Sequence, residues 1–106
     1  MLIAWTTVAT RAQADELAKQ VVARNLAVCV QVAGPITSHY RWEGVARRTE
    51  EFRLCFKVLE TGAAALEQAV QELHPYDTPE WLAVRAEQVG QKYLSWARAN
   101  SSHSPL

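Results

Sequence analysis

The segment "HPYDTPE", residues 74–80, sets His74, Tyr76, Asp77 and Glu80 around two prolines. These residue types can ligate a metal, hold a small polar ligand or move protons. Pro75 and Pro79 fix φ at two points, so the polar side chains project in set directions, a form of preorganisation. A shaping turn accounts for the same residues. In that reading Tyr76 caps the core, His74 bonds to a carbonyl, and Asp77 or Thr78 closes an Asx- or ST-turn before Pro79. Both readings stay open at this level.

Cys29 is a soft ligand suited to Cu(I), and His74 a borderline one suited to Cu(II) or zinc. The chain has no CxxC, HxH or HExxH spacing. A tight metal site must therefore be assembled from distant segments or from several subunits. The competing reading of Cys29 is a small buried hydrophobe in a strand. His39, outward on a hairpin strand, and His103, in the tail, are weaker ligands. Cys29, His74 and Asp77 also have the types of a thiol nucleophile, base and orienter. An apolar strand blunts a thiol, however, and there is no nucleophile elbow, Gly-rich phosphate loop or paired-carboxylate motif. No enzyme and no organic cofactor are expected.

The elements that must position these residues follow from patterning. The chain has 106 residues, 49% of them apolar, enough for one domain with its own core without disulfides or a structural metal. We assign residues 1–99 to that domain and 100–106 to a flexible tail. Lys and Arg number 11, as do Asp and Glu, which argues against a dedicated nucleic-acid binder. The apolar start lacks a basic n-region and a small-residue cleavage site, and no apolar run approaches bilayer length. A soluble cytoplasmic protein with reduced Cys29 and Cys55, and no membrane partner, is expected.

"LIAWTTV" reads as a first strand. Thr10 with Gln13 forms a capping box for a helix whose Ala14, Leu17, Ala18 and Val21 share one face. Asp15 and Glu16 fall early in it, and Lys19 and Arg24 late, as the helix dipole favours. "LAVCVQVA" is apolar on both faces, as in a covered strand, and Gly34-Pro35 breaks or bulges it. Beyond the break, Ile36, Ser38, Tyr40 and Trp42 alternate with Thr37, His39, Arg41 and Glu43, and Gly44 marks the turn. The return strand puts Phe52, Leu54, Phe56 and Val58 on one face, and Glu51, Arg53, Cys55 and Lys57 on the other. This hairpin is long for the domain, so its far end should overhang and invite pairing with another subunit. A second helix starts near Thr61 and ends at Pro75, since His74 before a proline leaves the α region. "PEWLAVR" reads as a fourth strand and "GQKYLSWARA" as a closing helix, pinned to the sheet by Tyr93 and Trp96. The order is β-α-β-β-α-β plus a short C-terminal helix: an α+β, ferredoxin-like split βαβ fold on an antiparallel sheet.

Four segments carry a family resemblance. "ARNLAVCVQV" resembles the "ARxLAACVN" segment of the CutA divalent-cation (copper) tolerance proteins. "SHYRWEG" is similar to their "SxYxWEG" hairpin, "HPYDTPE" to their "HPYxxPE", and "YLSW" to their "YLxW". Order and spacing agree over almost the whole chain. The resemblance implies a tight homotrimer, as in PII-like signalling trimers, with hairpins pairing between subunits and Tyr40 and Trp42 in the interface. It also implies a link to copper or another divalent ion. Cys29 and His74 are then the first candidate ligands, with Glu43, Asp77 and Glu80 as helpers. The alternative is a regulatory trimer sensing a small ligand in an intersubunit pocket of Trp42, Lys57, His74, Tyr76 and Glu80. Three positions depart from the family pattern. Val58 replaces a threonine, Arg85 a proline and Val28 an alanine. The fold should tolerate all three, whereas a ligand needing the threonine hydroxyl would lose it.

Overall fold

The computed structural model describes residues 1–101. Its elements run β1 (Leu2–Val8), α1 (Arg11–Ala23), β2 (Cys29–Trp42), β3 (Val45–Val58), a 3-10 turn (Glu60–Gly62), α2 (Ala63–Leu73), β4 (Leu82–Arg85) and α3 (Gln91–Ala99). The sheet order is β2-β3-β1-β4, antiparallel throughout. This is the expected α+β split βαβ arrangement, with β1 and β3 in the centre.

Strand alternation decides which side chains are buried. Ala4, Thr6 and Val8 of β1 lie opposite Phe56, Leu54 and Phe52 of β3. With Leu17 and Val21 of α1 and Leu66 and Val70 of α2 they form one core. The alternate residues of the ladder, Ile3 and Trp5, pair with Lys57 and Cys55 on one side and with Val84 and Leu82 on the other. No described helix buries this second face at β4, where Leu82 keeps 60% of its surface exposed and Val84 49%. The apolar "LAVCVQVA" run is thus covered on one face only within a protomer. Val30 and Val32 pack against the core, while Gln31 and Ala33 are exposed.

The hairpin is a single ribbon. β2 and β3 have 14 residues each, and the molecule measures 50 × 26 × 21 Å. Fourteen residues of strand extend about 46 Å, so the ribbon sets the long axis. The radius of gyration, 14.7 Å, exceeds the roughly 13 Å of a compact chain this long for the same reason. Glu43 and Gly44 have φ of 50° and 77°, the two-residue turn with both φ positive that matches strand twist. Gly34 and the cis Gly34-Pro35 bond form a bulge between the Ala33–Arg53 and Ile36–Glu51 pairs, and the strand continues beyond it. Arg11 braces the bulge: its guanidinium lies 5.1 Å from the Phe52 ring centroid and donates to the Gly34 carbonyl at 3.3 Å.

Four local expectations need correction. The capping box of Thr10 and Gln13 is present, but α1 has no acidic residue in its first turn and no basic one in its last. It starts at Arg11, so Asp15 and Glu16 fall beyond the first turn, and Arg24 is the C-cap. Strand β2 starts at Cys29, because Asn25 turns the chain with φ of 58° and residues 26–28 are spent leaving that turn. Helix α2 begins at Ala63, after the 3-10 turn that contains Thr61. Tyr93 and Trp96 stack on each other at 5.6 Å and remain half exposed, while Ala97 is the buried residue of α3. His103 lies outside the described residues.

Candidate functional site

Helix α2 stops where its sequence requires. His74 is its C-cap, with φ −70° and ψ 136°, the extended conformation that Pro75 imposes, and its N–H still reaches the Val70 carbonyl. This turns the imidazole back onto the end of β1. Nε2 lies 2.9 Å from the Thr7 carbonyl oxygen and 3.0 Å from Thr6 Oγ1, and the Tyr76 N–H donates to Nδ1 at 3.0 Å. Because a backbone N–H can only donate, Nδ1 is the unprotonated nitrogen. Nε2 carries the proton and gives it to the Thr7 carbonyl, which can only accept. The Thr6 hydroxyl donates to the Glu80 carbonyl at 2.6 Å, leaving a lone pair for the imidazole N–H.

One neutral histidine therefore joins the end of α2, the centre of the sheet and both ends of the 74–80 loop. It is buried, and burial lowers its pKa from 6.5 against smaller raising effects of the Thr7 bond and the Glu51 charge. Tyr76 continues the chain of contacts. Its ring sits 4.8 Å from the imidazole, and its hydroxyl donates to Glu51 Oε2 at 2.8 Å. Burial, the bond to Glu51, the Glu51 charge and nearby Tyr40 all push the phenol pKa up. Trp81, next along, packs on Phe56 at 5.7 Å between centroids.

The other candidate residues are elsewhere. Cys29, a half-buried free thiol, lies opposite Lys57, which is opposite Ile3. That is the far end of β1 from Thr6 and Thr7, where His74 sits. The Lys57 ammonium donates to Gln31 Oε1 at 2.7 Å. Glu43, Tyr40 and Trp42 are at the tip of the overhang, with Trp42 47% exposed. Asp77 and Glu80 are exposed, and Glu80 enters the network through its backbone. Within one protomer, then, His74, Tyr76 and the Glu80 backbone come together, whereas Cys29, Glu43, Trp42 and Lys57 stay apart from them. Among the described residues no three His, Cys, Asp or Glu side chains cluster as a metal would require. The depressions lined by Ala64, Glu67 and Gln68, and by Ala12, Leu17 and Pro75, contain none of the candidates.

Sequence reading missed Thr6 and Thr7 as partners of His74. The available signal was a hydroxyl at the middle inward position of the Ala4–Thr6–Val8 stripe, where a buried polar group needs a partner.

The profile described as "CutA1 divalent ion tolerance protein" matches residues 2–100. This chain belongs to that family. The divalent-cation tolerance protein CutA of Thermus thermophilus is 35% identical over 95 residues, covering 90% of this chain and 92% of its own. The CutA protein of Yersinia pestis strain Pestoides F is 35% identical over 99 residues, covering 93% of this chain and 83% of its own. Among solved structures, a mutant of CutA1 from Pyrococcus horikoshii superposes with a TM-score of 0.93 at 26% identity, covering 96% of this chain and 99% of that one. CutA1 from Oryza sativa superposes with a TM-score of 0.92 at 31% identity, covering 97% and 94%.

The three residues that depart from the CutA pattern each have a defined place in the fold. Val58 is buried in the core, Arg85 pairs with Glu60 at the surface, and the Val28 N–H donates to the Lys57 carbonyl at 2.9 Å. No helix among the described residues is long and apolar enough to cross a membrane.

Proposed function

We propose that this CutA1-family chain serves divalent-cation tolerance as a homotrimer that takes up copper or another divalent ion at its subunit contacts. One observation supports it most: the sheet face left bare in the protomer. Ile3, Trp5, Leu82 and Val84 form an apolar patch across β1 and β4, and Tyr40, Trp42 and Val45 continue as exposed apolar side chains on the overhang. A soluble protomer rarely leaves such patches open, and hydrophobic burial between copies would cover them. Cys29 and Cys55 are on the same bare face, so a partner subunit would bring further donors to them.

The donor set fits an ion only in the assembly. Cys29 offers a thiolate for a soft ion, but among the described residues of the protomer it belongs to no group of three His, Cys, Asp or Glu side chains that could hold one. Both ring nitrogens of His74 already hold hydrogen bonds, so coordination there would displace one of them. Cys29 is accordingly the first donor of the proposal, and His74, Glu43, Asp77 and Glu80 follow it.

Native mass spectrometry of the untagged protein during Cu(I) titration under reducing conditions tests both parts. The expected result is a trimer that saturates with a whole number of copper ions, and a Cys29→Ser trimer that does not. A monomer would remove the assembly. A trimer whose copper uptake is unsaturable, or unchanged in Cys29→Ser, would remove the metal site.

A further inference from the structure

The overhang begins at one point in the sheet. The β1–β3 ladder ends at the Val8–Phe52 pair, and β3 residues 45–51 pair with β2 alone among the described residues. In the same set no hydrogen bond, ion pair or ring contact joins residues 36–50 to anything outside the hairpin. A two-stranded ribbon is marginal by itself, so its direction depends on how its root is held. The bulge of β2 lies at that root, between the Ala33–Arg53 and Ile36–Glu51 pairs, and a bulge bends the strand that carries it.

Two side chains reach the root from outside the hairpin, one on each face. Successive residues of a strand point to opposite sides, so Glu51 and Phe52 face opposite ways. On the helix side Arg11, the first residue of α1, covers the Phe52 ring with its guanidinium and donates to the Gly34 carbonyl of the bulge. One cation thus touches both strands of the ribbon. The contact is close because Gly34 has no side chain: a Cβ there would meet Phe52 Cδ2 at 2.8 Å. On the other side the Tyr76 hydroxyl donates to Glu51 Oε2.

Both side chains start from fixed ground. Arg11 follows Thr10, whose capping box with Gln13 sets the first turn of α1. Tyr76 follows Pro75 and is held by His74, through its own N–H and through ring contact at 4.8 Å. Contacts anchored in this way keep their geometry, whereas a pair of free side chains does not. Neither residue belongs to the hydrophobic core.

We propose, on the homotrimer reading given above, that Arg11 and Tyr76 are positioning residues for the subunit contact. They clamp the ribbon from its two faces and fix the direction in which the overhang leaves one protomer and meets a second copy of this chain. An overhang held in its bound direction loses less freedom on association. It also cannot peel from its neighbour by swinging at the root. The 74–80 segment thereby has a role beyond shaping a turn, since His74 and Pro75 set the place from which Tyr76 reaches the hairpin.

Subunit exchange tests the clamp. Unlabelled and isotope-labelled proteins are mixed, and native mass spectrometry follows the mixed trimers. Arg11→Met should exchange about threefold faster than wild type, the weight of an exposed cation–π contact. Tyr76→Phe should exchange about tenfold faster, that of a hydrogen bond to a charged group. The double variant should combine them, at about thirtyfold. Arg11→Lys, which keeps a cation and a donor, should fall between wild type and Arg11→Met. Val21→Ala separates stability from positioning, because it removes buried methyl groups at the other end of α1. It should exchange within about twofold of wild type, as a site remote from the contact. A double variant no faster than Val21→Ala would overturn the clamp and leave the trimer standing. A monomeric wild type would overturn the assembly and the clamp together.

Discussion

The Tyr76 hydroxyl donates to Glu51 Oε2 at 2.8 Å, tying the loop after α2 to the hairpin beside the bulge of β2. The bond is partly buried, so removing the donor leaves a carboxylate short of a partner where water reaches it poorly. Tyr76→Phe should lower stability by about 1–3 kcal/mol, the range for an unsatisfied buried group. Glu51→Gln, which can still accept, should cost less. Urea unfolding at one fixed protein concentration measures both. Equal stability of Tyr76→Phe and wild type would show that the bond contributes nothing.

The same tyrosine fixes the alkaline limb of stability. Its pKa is raised in the folded protein above the ordinary 10.0. Between those two values the unfolded chain has lost the proton and the folded chain keeps it. Stability from this group is therefore fully present below pH 10 and falls as pH rises beyond it. The fall should be shallower in Tyr76→Phe, which has no phenol to titrate at that position. Denaturant midpoints between pH 9 and 11 would reveal it, and parallel curves would contradict the assignment.

His74 sets the acid limb with the opposite sign. Its folded pKa is lowered from 6.5, so between the two values the unfolded chain binds the proton that the folded one refuses. This contribution is fully present above pH 6.5 and is lost as pH falls through the folded value. Protonation must also break the bond that the Tyr76 N–H makes to Nδ1. Urea midpoints should fall between pH 7 and 5, and His74→Gln should flatten that slope while lowering the midpoint at pH 7.5. An unchanged slope in His74→Gln would place the acid sensitivity elsewhere.

Gly34 is a position where only glycine fits. Its φ is +147°, and a Cβ there would lie 2.8 Å from Phe52 Cδ2 and 3.1 Å from the Glu51 carbonyl oxygen. The aromatic ring is held by core packing on one side and by Arg11 on the other, so it cannot move aside freely. Gly34→Ala should cost about 1–3 kcal/mol from backbone strain, before any contribution from the contact. Thermal unfolding followed by circular dichroism checks this. An unaltered midpoint would mean that the bulge relaxes at no cost.

The fold was legible wherever a period was clean. Ala14, Leu17 and Val21 marked the buried stripe of α1, and Phe52, Leu54, Phe56 and Val58 the inward face of β3. Pro75 marked the end of α2 because the steric rule for the residue before proline is local. What was not legible depends on contacts distant in sequence. The bond between His74 and Thr6 spans 68 positions, and neither residue type announces the other. Tyr93 and Trp96 have helical spacing but stack in solvent, because spacing says which residues share a face and not what that face meets. The apolar run around Cys29 reads as covered on both sides, whereas the exposure of Gln31 and Ala33 leaves one of those sides bare.

That bare side gives the sharpest test of assembly. Leu82 and Val84 stand opposite Trp5 and Ile3 on the face away from the helices, and they are 60% and 49% exposed. A carboxylate at position 82 costs little in an isolated protomer, since the site is already open to water and substitutions at such surface sites usually change stability by less than about 0.5 kcal/mol. Between copies it would bury an unpaired charge, which is several-fold more costly than losing one apolar contact. Leu82→Glu should therefore shift the protein to monomer by light scattering at micromolar concentration, with the far-UV spectrum of the α+β protomer retained. The apolar Leu82→Met should keep the assembly. A Leu82→Glu protein that remains associated would mean that the subunits meet through the hairpin alone, and that this face of the sheet is open in the assembled protein as well.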